Sequence, residues 1–132
     1  MFGLGKKKPP PIRSLIGEGV VVKGDIRFDE GLRIDGEVHG DVEAADGRSI
    51  LVISEKARVH GKVRAGHVII NGAVIGPVHS DELLELQPKA RIEGDVRYQM
   101  LEMHQGAQVE GLLKPLKSAE KPTLTLAASN DA

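Results

Sequence analysis

The chain has 132 residues, a formal net charge of −1 and no cysteine, which leaves room for one domain and excludes disulfides and thiolate metal sites. Only Phe2, Phe28 and Tyr98 are aromatic, so the core must be built from Val, Ile, Leu and Ala. No apolar stretch reaches the roughly 18–20 residues of a transmembrane helix, and the first residues lack the apolar run of a secretory signal. We therefore expect a cytoplasmic protein.

The first segment, residues 1–11, is apolar and then basic, and it ends in three prolines that favour an extended, flexible tail. Its apolar residues are suited to enter a lipid interface, and each lysine contributes about 1 kcal/mol near anionic headgroups. The candidate tether residues are Met1, Phe2, Leu4, Lys6, Lys7 and Lys8. The pattern predicts weak membrane contact, and the alternative is an ordinary soluble start that happens to carry lysines.

Internal repetition is the strongest signal in the rest of the chain. The unit apolar-x-Gly-x-apolar occurs six times, at successive steps of 16, 21, 15, 18 and 17 residues. Its glycines are Gly24, Gly40, Gly61, Gly76, Gly94 and Gly111. Every second residue upstream of the glycine is apolar or glycine in Leu32–Val42 and Val68–Val78, whereas other units carry a two-residue insertion such as the one around Pro88.

Alternation with a period of two predicts short strands that each bury one face. A repeat of 15–21 residues is too short for a crossover that contains a helix, so each strand must pair in parallel with its counterpart one repeat away. We predict an all-β fold, a single-stranded parallel β-helix (β-solenoid) of about six rungs over residues 12–116. The usual crossover rule makes it right-handed. The polar segment 43–48 is predicted to be a loop, and residues 117–132 a disordered tail.

The main rival for the fold is the left-handed hexapeptide β-helix of acyltransferases. That fold requires an aliphatic residue at every sixth position, whereas the apolar spacings in this chain are two and four. The hexapeptide-type enzyme therefore stays an alternative with less support from the sequence.

The two ends of a solenoid expose unpaired backbone groups and an open apolar cross-section. Repeat proteins that stay monomeric cover such ends with polar caps, and no cap is visible in the sequence. The candidate polymerisation residues are Ile12, Leu15, Ile16 and Val20 in the first rung and Leu101, Met103, Leu112, Leu113 and Leu116 in the last. We therefore expect end-to-end self-association. If the tails fold over the ends instead, the chain is a monomeric β-helical adaptor.

Sites for chemistry are not apparent in the sequence. His39 and His60 share one outward column, but a zinc site requires a third protein ligand, so we interpret this column as a solvated face and expect no metal site. No serine lies in a recognisable triad pattern, and no glycine-rich phosphate loop is present. No basic face points to nucleic acid. We expect a protein that is not an enzyme, has no cofactor and needs no nucleotide.

The rung at Leu32–Val42, its echo at Val68–Val78, the six-rung length and the proline-containing flanks resemble the bactofilins, which are bacterial polymer-forming cytoskeletal proteins. The resemblance covers Ile12 to Leu116. It implies a right-handed, roughly three-sided β-helix that polymerises without nucleotide, head-to-head and tail-to-tail, into filaments that lack polarity.

The resemblance also implies a scaffold at the inner face of the cytoplasmic membrane. Such a scaffold recruits cell-wall enzymes or other partners and so affects cell shape; some relatives instead organise chromosome segregation or motility machinery. The short membrane motif of the family is similar to residues 1–8. The family often places a phenylalanine in the last rung at the polymer contact, where this sequence has Leu112 or Leu113.

Overall fold

The computed structural model describes residues 11–116, which fold into sixteen β-strands arranged as six stacked rungs with three faces. The first face contains β1 (Ser14–Ile16), β4 (Gly31–Ile34), β7 (Ile50–Ile53), the second half of β9 (Val63–Ile70), the second half of β11 (Val78–Leu86) and β14 (Met100–Met103). The second face contains β2 (Val21–Lys23), β5 (Glu37–His39), β8 (Arg58–His60), β10 (Ala73–Ile75), β12 (Arg91–Glu93) and β15 (Gln108–Glu110).

The third face contains β3 (Ile26–Phe28), β6 (Val42–Ala44), the first halves of β9 and β11, β13 (Val96–Tyr98) and β16 (Leu113–Pro115). Strands β1 to β3 form rung 1, β4 to β6 form rung 2, and each later rung likewise takes one strand or half-strand from each face. Every strand pair among the described residues is parallel. The predicted β-solenoid of about six rungs is therefore confirmed.

The core is a set of columns in which inward side chains of successive rungs stack on one another. On the second face, Val38, Val59 and Val74 lie in register and are each fully buried. Alternate residues on the same strands point to solvent, as the period of two requires. Aliphatic side chains of this size fill most of the narrow interior, which agrees with the composition, and Phe28 is the aromatic ring among the buried core residues of 11–116.

A column of glycines fixes the corner between the second and third faces. All six have positive φ, between 133° and 158°, which L side chains rarely adopt. In addition, a methyl group at Gly61 would collide with the backbone carbonyl oxygen of Gly40, one rung below. The glycine repeat in the sequence is therefore a steric requirement of stacking backbone on backbone at this corner.

The two forms of the repeat correspond to two turns between the first and second faces. Rungs with the insertion close a four-residue turn, such as the one in which the Ala57 amide donates to the Ser54 carbonyl at 3.0 Å. Rungs 2 and 4 turn more tightly, through Gly36 and Gly72. The loop predicted at 43–48 begins at Ala45, because the two residues before it continue β6.

Some of the sequence predictions are not tested by the described residues. Residues 1–10 and 117–132, which hold the candidate membrane tether and the predicted tails except Pro11, lie outside them. The right-handed sense of the helix stays a prediction. None of the described residues forms a helical segment that could span a lipid bilayer.

Candidate polymerisation surfaces

The lower cross-section of rung 1 exposes apolar side chains that continue the core columns. Ile16, Val22 and Ile26 are in register with inward residues of rung 2, and among residues 11–116 nothing lies on their other side. Val20 closes the same kind of turn as Ala57 and is 46% exposed. We call Ile16, Val20, Val22 and Ile26 the first end surface.

The upper cross-section of rung 6 has the same character. Leu101, Met103, Val109 and Leu113 continue the inward columns of rung 5, and they are half-buried or exposed. Met103 is 44% exposed and Leu113 is 41% exposed, although their rung-5 counterparts are fully buried. We call these four residues the last end surface.

Within residues 11–116, the outer backbone groups of both end rungs also lack strand partners. Among the described residues, β1, β2 and β3 pair only with rung 2, and β14, β15 and β16 pair only with rung 5, whereas every other strand has neighbours on both sides. Strand edges with free N–H and C=O groups are templates for pairing with another chain. Each end therefore offers an apolar patch that is framed by three open strand edges.

Not all the predicted polymerisation residues lie in these cross-sections. Leu15 is in register with Arg33 and points outward, and Leu112 lies at the glycine corner, where its amide donates to Asp95 Oδ1 at 3.0 Å. Ile12 is 46% exposed beside Gly31. Leu116 is half-buried after β16, and its amide donates to the Tyr98 carbonyl. These four residues lie at the rims of the two ends.

Sequence reasoning missed Val22, Ile26 and Val109. Each occupies a regular apolar position of the repeat, so nothing in its own unit distinguishes it from a core residue. They can be identified from the position of their unit in the series of repeats. An inward residue of the first or last unit has no further rung of the same chain to cover it. Val21 and Met100 are also exposed, by 53% and 60%, but they point outward.

The first face carries an open groove in which Asp35 meets Arg33 and Ser54. The hydrogen bond from the Ser54 hydroxyl holds the pKa of Asp35 below its usual value, with Arg33 acting in the same direction and partial burial opposing it. Among the described residues, no histidine lines this groove. A serine that donates to a carboxylate, with no base to activate it, joins two rungs and does not form a nucleophilic site.

The similarity to a known protein family extends over the whole stack of rungs. The model of the family described as "Bactofilin: Polymer-forming cytoskeletal" matches residues 14–114, from the first strand to the last. The chain belongs to the bactofilin family. The resemblance inferred from the sequence is therefore confirmed, and the family is a structural, cytoskeletal one.

Individual bactofilins show the same relationship. The chain is 26% identical over 98 residues to Bactofilin BacP of Myxococcus xanthus, and the match covers 74% of this chain but only 40% of BacP. It is 28% identical over 98 residues to Bactofilin BacO of the same organism, and that match covers 74% of this chain and 75% of BacO. This bactofilin chain thus spans less than half of the length of BacP.

One solved structure that resembles this chain is that of a filament. The cryo-EM reconstruction of Thermus thermophilus bactofilin double helical filaments superposes with a TM-score of 0.64 at 30% sequence identity. The match covers 76% of this chain and 98% of that one. This bactofilin and the Thermus protein therefore share the β-helix over nearly the whole length of the Thermus chain.

Proposed function

We propose that this bactofilin polymerises end to end into cytoskeletal filaments, without nucleotide, and that the filaments form a scaffold on the inner face of the cytoplasmic membrane. The observation that carries the proposal is that both ends of the solenoid present apolar cross-sections framed by open strand edges. The family description and the filaments of the Thermus relative support the same function.

The end surfaces are large enough in energetic terms to hold subunits together. Each offers four aliphatic or methionine side chains that are already partly covered, so association releases a part of the about 1.5–3 kcal/mol that full burial of one such side chain contributes. The three open strands that the described residues have at each end add backbone hydrogen bonds at about 1 kcal/mol per bond. These gains oppose an association cost of about 4–15 kcal/mol. None of these contributions requires a bound nucleotide.

We further propose that the contacts are head-to-head and tail-to-tail, so that the filament has no polarity. The two end surfaces differ in chemistry, since the first consists of Ile and Val and the last contains Leu and Met. A surface that meets its own copy across a two-fold axis is self-complementary and closes as a pair. A filament then needs two independent pairings, one at each end.

Blocking one end tests both the interface and the polarity. Leu113→Arg places a charge in the last end surface, where it loses its water without a partner when subunits meet, and Leu116→Arg places a charge at the rim of that surface. In a filament without polarity the first end still pairs, so the variant should accumulate as dimers; in a head-to-tail filament it should accumulate as monomers. Size-exclusion chromatography with light scattering distinguishes the two, and electron microscopy reports filament loss.

Glu102→Arg is the matched control for this experiment. It introduces an arginine into the same rung, but Glu102 is in the outward column of the first face, in register with Glu85. Its filaments should persist. Undiminished filaments in Leu113→Arg would remove the last end surface from the proposal, and undiminished filaments in Leu116→Arg alone would exclude only the rim from the contact. A wild-type chain that stays a discrete monomer at high concentration would favour the adaptor with covered ends.

The membrane part of the proposal rests on residues 1–8, and it is separable from polymerisation. A few apolar residues and three lysines hold one copy weakly, but a filament displays many copies and gains by multivalency. Deleting residues 2–8 should abolish flotation with anionic vesicles and leave filaments intact. As a control, exchanging Lys6, Lys7 and Lys8 for glutamine should weaken flotation without changing the apolar residues.

The scaffold would recruit cell-wall enzymes or other proteins through its polar faces.

If the chain that lacks residues 2–8 floated with vesicles as well as the full chain does, the membrane tether would be removed from the proposal while the polymer would stay. The groove of Asp35 and Ser54 gives the acyltransferase alternative no support, because none of the described residues that line it is a histidine. We therefore propose a structural polymer whose subunits associate through their two end surfaces.

A further inference from the structure

Two histidines and one glutamate meet on the outer surface of the second face. His39 and His60 are in register on adjacent rungs, and their rings stack with centroids 4.6 Å apart and planes 7° from parallel. Glu37 precedes His39 by two residues on the same strand and so points to the same side. Its Oε2 lies 2.9 Å from His39 Nε2 and 3.8 Å from His60 Nε2.

We propose that Glu37, His39 and His60 form a binding site for a divalent transition-metal ion of the zinc type, with one open coordination position. Imidazole and carboxylate are the ligands that such ions use, and three protein ligands with a fourth position for water make a complete set. Glu37, the third ligand, lies in the outward column next to that of the two histidines. The histidine column alone therefore does not reveal it.

The distances suit one ion. Tetrahedral coordination with bonds of about 2.0–2.1 Å separates neighbouring ligand atoms by about 3.3 Å. The two distances from Glu37 Oε2 lie on either side of that value, and all three candidate ligand atoms lie within 4.8 Å of one another. The side chains are 36–43% exposed, so small rotations about their exposed bonds can close the set around an ion.

The surroundings select for the class of ion. Lys23 is in register with His39, and Arg58 is in register with Glu37, so two positive charges flank the cluster; Ile75 lies beyond His60. A single carboxylate between two cations is a poor site for Ca²⁺ or Mg²⁺, which depend on several oxygen ligands. Ions that bind imidazole nitrogen depend less on net charge, and they fit this set better.

A metal ion here would join two rungs. Its ligands come from rungs 2 and 3, and His39 and His60 are 21 residues apart in the chain. Binding to the folded state alone stabilises it by mass action, so the ion would raise the unfolding temperature. Both rungs lie inside the stack, away from the two end surfaces, so the site is independent of polymerisation.

A second group, formed by Glu85, Glu102 and His104, supplies the comparison. Its ligand atoms also lie close together, but it offers one imidazole and two carboxylates. His104 is 43% exposed, as His39 is. His104→Gln is therefore a matched control for His39→Gln, since both remove an outward, equally exposed imidazole beside a carboxylate.

The test is a titration of the untagged, chelator-treated full chain with Zn²⁺ by isothermal calorimetry, and with Co²⁺ by visible absorption. We expect saturation at one ion per chain. Loss of a group that only supports a ligand weakens metal affinity about 10–100-fold, so His39→Gln and His60→Gln should each weaken it at least about tenfold. His104→Gln should leave the affinity and the absorption spectrum unchanged.

Circular dichroism should show unchanged strand content in all three variants, because every substituted side chain points outward. Added Zn²⁺ should raise the unfolding temperature of the wild-type chain and of His104→Gln, but not of His39→Gln. The proposal is overturned by the absence of saturable binding, or by binding that survives both His39→Gln and His60→Gln. Loss of binding in His104→Gln alone would assign the ion to the other group.

Discussion

The middle rungs and the end rungs of this bactofilin share one sequence pattern but differ in what that pattern does. Val63 and Leu113 occupy the same inward column of the third face, joined through Val78 and Val96. Val63 is fully buried, whereas Leu113 is 41% exposed. Leu86 and Met103, on the first face, differ in the same way.

The difference between the two regions is set by position in the stack and not by residue type. An inward aliphatic side chain in rung 3 is covered from above and below, so its transfer energy stabilises the fold. The same kind of side chain in rung 1 or rung 6 is covered from one side, so part of that energy is released only when another subunit arrives. One repeat therefore serves folding in the middle and association at the ends.

The largest expected effect comes from placing a charge at the two positions of this shared column. Val63→Asp buries a carboxylate without a partner, at a cost comparable to the total stability of about 5–15 kcal/mol. We expect loss of the β signal in circular dichroism. Leu113→Asp should keep that signal, because its side chain reaches water once the subunits separate, and it should lose filaments in electron microscopy.

The conservative pair Val63→Ala and Leu113→Ala is the control for charge. Val63→Ala should lower the unfolding temperature and leave the filaments intact, whereas Leu113→Ala should weaken filaments and lower the unfolding temperature of the separated subunit by less, because its side chain is covered from one side only. A folded Val63→Asp chain would contradict the claim that the middle position of this column serves folding. An unfolded Leu113→Asp chain would contradict the claim that the end position serves association.

A smaller effect on stability is expected at the glycine corner, where a middle rung and an end rung differ in the space available for a methyl group. Gly61 and Gly24 both have positive φ, so an alanine at either one costs about 1–3 kcal/mol in backbone strain. The methyl group at Gly61 would also collide with the Gly40 carbonyl, whereas at Gly24 nothing lies within 4 Å. Gly61→Ala should therefore lower the unfolding temperature clearly more than Gly24→Ala.

Thermal unfolding of both variants on a filament-deficient background, such as Leu113→Arg, at a protein concentration low enough to dissociate the remaining pairs, measures this folding term apart from assembly. With the last end blocked, only the first end contact remains, and Gly24→Ala adds its methyl group on that side. Gly24→Ala should thus reduce the residual pairing more than Gly61→Ala does. Equal losses of stability in the two variants would show that φ strain alone governs this column.

The fold was predictable from the sequence because its determinants are local and repeated. The glycine spacing follows from one backbone collision per rung, and the alternation follows from the period of a strand. The end surfaces were predictable only in part. Leu101 and Leu113 were found, but Val22 and Val109 were not, because their exposure depends on being first or last in the stack, which no single repeat encodes.

The cluster of Glu37, His39 and His60 was also predictable only in part, for a different reason. The sequence predicted that His39 and His60 share one outward column, and their register confirms it, but it assigned no third ligand to that column. The proximity of Glu37 to both imidazoles results from rotamers, and a strand pattern predicts only which side of the sheet a side chain occupies.

The smallest effect on stability is expected from a side-chain hydrogen bond that a turn of a middle rung has and the matching turn of an end rung lacks. The Ser54 hydroxyl, in rung 3, bonds to Asp35 in rung 2, whereas the matching turn position of rung 1 is Gly17, which has no side chain. Ser54→Ala should remove about 1 kcal/mol of stability and raise the pKa of Asp35 toward its ordinary value of 3.8. The exposed Ser14→Ala, in rung 1, should change neither quantity.

The pH dependence gives the sign of this contribution. Because folding lowers the pKa of Asp35, its contribution is present above the ordinary value of 3.8 and is lost as the pH falls through the folded pKa. The difference in unfolding temperature between the wild-type chain and Ser54→Ala should therefore be larger at pH 6 than at pH 3. A difference that is constant across this range would mean that Ser54 acts through its bond to the Ile34 carbonyl, at 3.2 Å, and not through Asp35.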